Sequence, residues 1–152
     1  MTAADQPRGV IGVGYAGHRL ETFVRGLLAS HVSLVVDVRL NAISRKQGFS
    51  KRALSAALTE AGIGYEHVPD LGNPGWNRPG FAGSGADVRA ARTKFGELIT
   101  GETASACIDD IANAAARGVV AVMCVEADDR SCHRHVILGE IHRRHTVPAA
   151  TG

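Results

Sequence analysis

Three short runs of unbroken apolar residues set the terms for any fold this chain adopts: Val10-Ile11-Gly12-Val13-Gly14, Ser33-Leu34-Val35-Val36-Asp37-Val38 and Val119-Val120-Ala121-Val122-Met123-Cys124-Val125. None alternates polar with apolar residues, so none suits a strand with one face in water. Unbroken runs of this length, rich in β-branched residues, mark parallel strands covered on both faces. The two glycines of the first run weaken it as a strand. Between the runs the period changes. Leu20, Phe23, Val24, Leu27 and Leu28 recur at helical spacing and predict about three turns of helix. Ser50 is a good N-cap for a second helix to about residue 61, closed by Gly62 and Gly64. Residues 65–68 predict a short strand stopped by Pro69, and helical spacing returns over 87–99 and 103–116. A last helix is expected over residues 132–144.

Strands therefore alternate with helices. The predicted fold is α/β: a single three-layer αβα domain, Rossmann-like, with a mostly parallel sheet of four or five strands and right-handed crossovers. It is expected to occupy residues 10–145, after a polar lead-in (1–9) and before a short tail (146–152). Residues 70–85 hold five glycines and the only tryptophan, a composition expected of a functional or mobile loop.

Composition narrows the class. A chain of 152 residues with 45% apolar and 21% charged residues is that of one globular domain rather than a disordered segment. A net charge of +2 carries no strong signal for nucleic acid or a membrane surface. No apolar run approaches the roughly 20 residues of a membrane span, and no signal peptide is expected at the start. The three cysteines, Cys107, Cys124 and Cys132, form no dense framework and fit free thiols in a reducing, cytoplasmic setting.

In open parallel sheets ligands sit beyond the carboxyl ends of the strands. Polar residues concentrate there. Tyr15, His18 and Arg19 follow the first strand; Asp37, Arg39, Ser44 and Arg45 end or follow the second; Cys124, Glu126, Cys132, His133 and Arg134 end or follow the last. If the strands are parallel, these groups share one rim. Strand alternation puts Cys124 and Glu126 on one side. Cys132 and His133 are expected in the first turn of the last helix, where unpaired N–H groups draw anions and acidify thiols. Cys124, Glu126 and His133 are the candidates for chemistry, with Cys124 either a nucleophile or a small core residue at a strand end. Arg39, Arg45 and Arg134 are candidates for holding an anion, and Asp37 either orients a ligand or forms a buried ion pair with Arg39 or Arg134.

A zinc site from Cys124, Cys132 and His133 would need a fourth ligand among Glu126, His18 and Asp37, and lacks a Cys-x-x-Cys knuckle; no metal is assigned. Gly12-x-Gly14-x-x-Gly17 spells a dinucleotide-like fingerprint with Asp37 about twenty residues on, or else ordinary close packing. No cofactor is assigned.

The blocks Asp37-Val38-Arg39, Ser44-Arg45, Phe49-Ser50, Gly62-Ile63-Gly64-Tyr65, Leu71-Gly72 and Cys124-Val125-Glu126…Cys132-His133-Arg134 together resemble the bacterial and archaeal family known as domain of unknown function 488. The resemblance runs from about residue 9 to 144. Related sequences are expected to carry Leu-Gly-Gly where this chain has Leu71-Gly72-Asn73, and the loop that follows is expected to vary. The resemblance implies this fold and this site without naming a reaction. The expected function is an enzyme acting on a phosphorylated, nucleotide or other anionic small molecule at the sheet's carboxyl edge, by thiol-based group transfer; the alternative is a non-catalytic module that binds a nucleotide or a protein partner.

Overall fold

A computed structural model describes residues 6–144; most of the expected lead-in (1–5) and the tail (146–152), together with His145, lie outside the described residues. Four strands, β1 (Gly9–Gly14), β2 (Val32–Asp37), β3 (Gly64–His67) and β4 (Val119–Cys124), form one sheet in the order β1-β4-β2-β3. Every pairing is parallel. The architecture is α/β, consistent with the three-layer Rossmann-like arrangement expected. β4, last in the chain, is inserted between β1 and β2, which explains its uninterrupted apolar run: all six of its residues are buried.

The helices divide between the two faces. α1 (Leu20–Ala29) and α2 (Lys51–Glu60) bury Phe23, Leu27, Leu54 and Leu58 on one side, against Val35, Ala121 and Met123. α4 (Gly85–Leu98), α5 (Glu102–Ala115) and α6 (Arg134–Arg144) cover the other, against Val36, Val120, Val122 and Cys124. Period-two alternation along β4 thus sends Val120, Val122 and Cys124 to the α4–α6 layer. Between β3 and α4, two 3-10 turns and the one-turn helix α3 (Arg78–Phe81) give residues 69–81 local structure.

Some boundaries differ from expectation for physical reasons. Ser50 does precede α2, but its hydroxyl donates to the Ser44 carbonyl at 3.2 Å and accepts from the Ser44 N–H at 3.0 Å, pinning the preceding loop instead of capping the helix. Ser84 is the residue that completes a capping box, with Asp87, at the start of α4. The last helix begins at Arg134 rather than at 132. A 3-10 turn over Asp129–Ser131 intervenes, held by the Asp128 carboxylate accepting from the Arg130 N–H, and leaves Cys132 extended (φ −144°, ψ 151°).

Candidate thiol site

β4 ends at Cys124, and the chain then loops out through exposed residues 125–128 before returning to Cys132 and His133 at the foot of α6. The Cys132 and His133 carbonyls accept from the N–H groups of His135 and Val136, at 3.1 and 3.0 Å, so the two residues start the helical hydrogen bonding without being in the helix. Their side chains are buried and turn towards Cys124. The Cys124 and Cys132 sulfurs and one His133 ring nitrogen lie within 4.8 Å of one another.

His133 is held on both sides. Its ring packs edge-on against Phe95, 5.0 Å between centroids, and Nε2 donates to the Val38 carbonyl at 2.9 Å. A carbonyl only accepts, so Nε2 carries a proton; Nδ1, 3.4 Å from the Cys132 sulfur, accepts from a thiol when bare and donates to a thiolate when protonated. The two thiols are electrostatically unlike. Hydrogen bonding from Cys132 holds the Cys124 thiol well below the usual range against the cost of burial, helped by His133 and the Val125 N–H. Donation to Cys124 pushes Cys132 up, and burial adds to the rise. Of the pair, Cys124 is the more acidic thiol. The third thiol, Cys107, lies on α5 and is raised, first by burial and then by Asp70, Asp110 and Glu66.

The three side chains form the floor of a cavity of about 230 Å³. Leu40, Ile43 and Phe81 supply an apolar wall, and Glu126, Asn73 and Arg78 are its polar neighbours. Asn73 is buried and accepts from Asn77 Nδ2 at 3.0 Å, and the same nitrogen donates to the Ala91 carbonyl, so α4 fixes the position of this loop. Arg78 has no hydrogen-bond or ion-pair partner among the described residues and is exposed. Sequence reasoning missed Arg78, because a Gly- and Pro-rich segment has no period to say which side chains turn inward.

The other arginines are placed differently. Arg39 borders the cavity, but its fork is used inwards: Nη2 and Nε donate to Asp37 at 2.7 and 2.9 Å, and Nη1 to the Tyr15 hydroxyl and the Phe49 carbonyl at 3.2 and 2.6 Å. Asp37 is fully buried and also accepts from the Tyr65 hydroxyl at 2.5 Å, so Asp37 and Arg39 form the interior ion pair. Arg134 is fully buried and donates to the Val13 and Glu126 carbonyls and to Asp129. Arg45 is exposed and away from the cavity lining, and Ser44 serves the 39–50 loop through its bonds to Ser50 and Lys46.

The residues after β1 do not reach this cavity. Tyr15 is buried on the α1/α2 face, stacked on Phe49 with centroids 4.5 Å apart. His18 borders a separate depression beside Phe23, and Arg19 is exposed, 3.9 Å from Glu21. Strand ends on the same rim can thus still open to different layers.

The glycine fingerprint has a packing role. A Cβ on Gly14 would fall 1.7 Å from the Glu126 carbonyl oxygen, and one on Gly12 would fall 2.3 Å from Asp129 Oδ1. The 125–131 loop fills the place where a pyrophosphate would approach. For a metal, the Cys124, Cys132 and His133 donors would be joined most readily by Glu126 on the same cavity, since Asp37 is committed to Arg39 and His18 lies elsewhere.

Among the described residues, no helix is long and apolar enough to cross a membrane. Neither curated proteins nor solved structures gave a match to the chain. One family model does match, over residues 19–141, and those residues include β2 to β4, helices α1 to α5, α6 as far as Ile141 and the whole Cys124-to-Arg134 segment. By that match across most of its length, the chain belongs to the family described as domain of unknown function DUF488.

Proposed function

We propose that the cavity is the active site of an enzyme that transfers a group from a small anionic molecule through the Cys124 thiolate. The observation that carries this reading is the meeting of two unlike thiols and an oriented imidazole on the floor of one cavity. Cys124 is the attacking atom in this reading, because hydrogen bonding from Cys132 and the Val125 N–H favours its thiolate form. His133 moves protons at Nδ1, the only ring position left open by the bond to Val38. Arg78 meets the substrate's negative charge at the mouth, and Leu40, Ile43 and Phe81 take its apolar part.

Alkylation by iodoacetamide tests the reading. Cys124 is expected to react far faster than Cys107 at pH 6, where an ordinary thiol is almost wholly protonated. Equal, slow labelling of both thiols would remove the nucleophile and with it the enzyme. With a substrate in hand, Cys124→Ser abolishes turnover and keeps ligand affinity; Arg78→Ala does the reverse, raising KM about tenfold.

A further inference from the structure

Cys132 lies close enough to Cys124 to do more than donate a hydrogen bond to it. A nucleophile that forms an acyl or phosphoryl intermediate needs water or a second substrate to complete turnover, and a neighbouring thiol does not resolve such an intermediate. A sulfur-linked intermediate is different, because the group that resolves it is another thiol able to reach the same sulfur atom. Cys132 meets that requirement. Its sulfur is within 4.8 Å of the Cys124 sulfur, so forming a bond of roughly 2 Å needs an approach of less than about 3 Å. Cys132 is extended and outside α6, and seven residues, 125–131, separate it from Cys124, six of them exposed. The approach therefore needs no unwinding of a helix.

We propose that the substrate is a low-molecular-weight disulfide bearing a carboxylate or similar anion, reduced by thiol–disulfide exchange with Cys124 attacking and Cys132 resolving. This rests on the reading of Cys124 as nucleophile. In the first step the Cys124 thiolate attacks one substrate sulfur. The Cys124–substrate disulfide forms, the substrate's own S–S bond breaks, and the released thiolate takes a proton from solvent. In the second step Cys132 passes its proton to His133 Nδ1, 3.4 Å away, and its sulfur attacks the Cys124 sulfur. The Cys124–Cys132 bond forms, the bond to the substrate half breaks, and the second thiolate leaves with the proton from His133. The substrate has gained two electrons and become two thiols; the protein has lost two electrons and holds one disulfide. A dithiol reductant from solution restores it by the same exchange. Arg78 selects the anion, being the cation at the cavity without a partner among the described residues.

The test uses the full chain, reduced, with Cys107→Ala to remove the third thiol, and oxidised glutathione as the probe, followed by intact mass. The expected product has lost two hydrogens, carries no adduct and has released two equivalents of glutathione. Cys132→Ser is expected to stop at a stable glutathione adduct on Cys124 with one equivalent released, and Cys124→Ser to react at neither position. Arg78→Ala is expected to slow the first step about tenfold with oxidised glutathione and not with cystamine, a cationic disulfide. A stable adduct on the chain that retains Cys132 overturns the resolving role while leaving Cys124 a nucleophile. No reaction with either disulfide, alongside fast iodoacetamide labelling of Cys124, overturns the substrate class alone. If iodoacetamide also fails to label Cys124, or labels it only after a chelator has removed a stoichiometric metal, the nucleophile reading falls and this proposal with it.

Discussion

Arg134 Nη1 donates to the Val13 carbonyl at 2.6 Å, joining the foot of α6 to the end of β1 across 121 residues of chain. Its Nη2 donates to the Glu126 carbonyl at 2.7 Å and its Nε to Asp129, so one buried guanidinium secures the whole return loop beneath the candidate site. Replacing it leaves two carbonyls and a half-exposed carboxylate without their donors. Arg134→Met is expected to cost about 2–3 kcal/mol, read as a lowered urea midpoint. Arg134→Lys recovers little, because a single ammonium cannot reach three acceptors set around a planar fork. A loss below about 1 kcal/mol in both variants would mean the loop is held by something else.

The glycines of β1 make a second prediction. Gly14→Ala drives its methyl into backbone, the Glu126 carbonyl, and is expected to cost at least 2 kcal/mol with no ligand present. Gly17→Ala meets nothing within 4 Å but sits at φ +83°, and should cost only about 1 kcal/mol. Chemical denaturation of the two variants separates them. Equal costs would mean that the close approach of the loop to β1 is not what requires a glycine at position 14.

Stability should also respond to alkali. Burial raises the ionisation of the Tyr65 phenol, and donation to the Asp37 carboxylate adds to the rise. A group raised in the folded state adds stability that is whole below its unfolded value, near 10 for tyrosine, and is lost as pH climbs towards the folded value. The urea midpoint is therefore expected to fall above about pH 10, and Tyr65→Phe to flatten part of that fall. An unchanged slope in the variant removes Tyr65 as its source.

The acidity of Cys124 is expected to depend on its neighbour. Cys132→Ala removes the first cause of the lowered value, so the alkylation rate of Cys124, nearly level between about pH 6 and 8 in the intact pair, should become steeply pH-dependent. Cys132→Ser keeps a donor and should retain most of the plateau. Stopped-flow iodoacetamide kinetics across that range decide it. Identical profiles for the Ala and Ser variants would count against a hydrogen bond between the two side chains.

β2 and β4 were legible because burial on both faces writes itself into a sequence as an unbroken apolar run, whereas edge strand β3 was marked by its place between Gly64 and Pro69. The order of the strands was not legible, since β1-β4-β2-β3 depends on which face each connection crosses, and helical spacing in a sequence is blind to that. The same blindness explains the site. Cys124, Cys132 and His133 could be grouped from their spacing along β4 and α6, and Glu126 borders the same cavity. Tyr15 and His18 sit at a neighbouring strand end but open onto the α1/α2 layer. Arg39 and Arg134 looked like anion binders because charge is visible in a sequence and its partners are not; each is spent on interior acceptors. Arg78 gave no signal, for its position depends on buried Asn73 and Asn77 tying an irregular loop to α4.

The late arrival of β4 has a consequence for biosynthesis. β1 and β2 have no direct pairing and meet only through a strand made more than eighty residues after β2. On the ribosome the N-terminal two-thirds can join β2 to β3 and pack α2, but both flanks of the missing strand stay open to any extended chain nearby. Assembly waits for residues 119–124 to emerge, and the paired thiols are complete only at Cys132, so a nascent chain stalled before β4 is expected to present open strand edges and to lack the site.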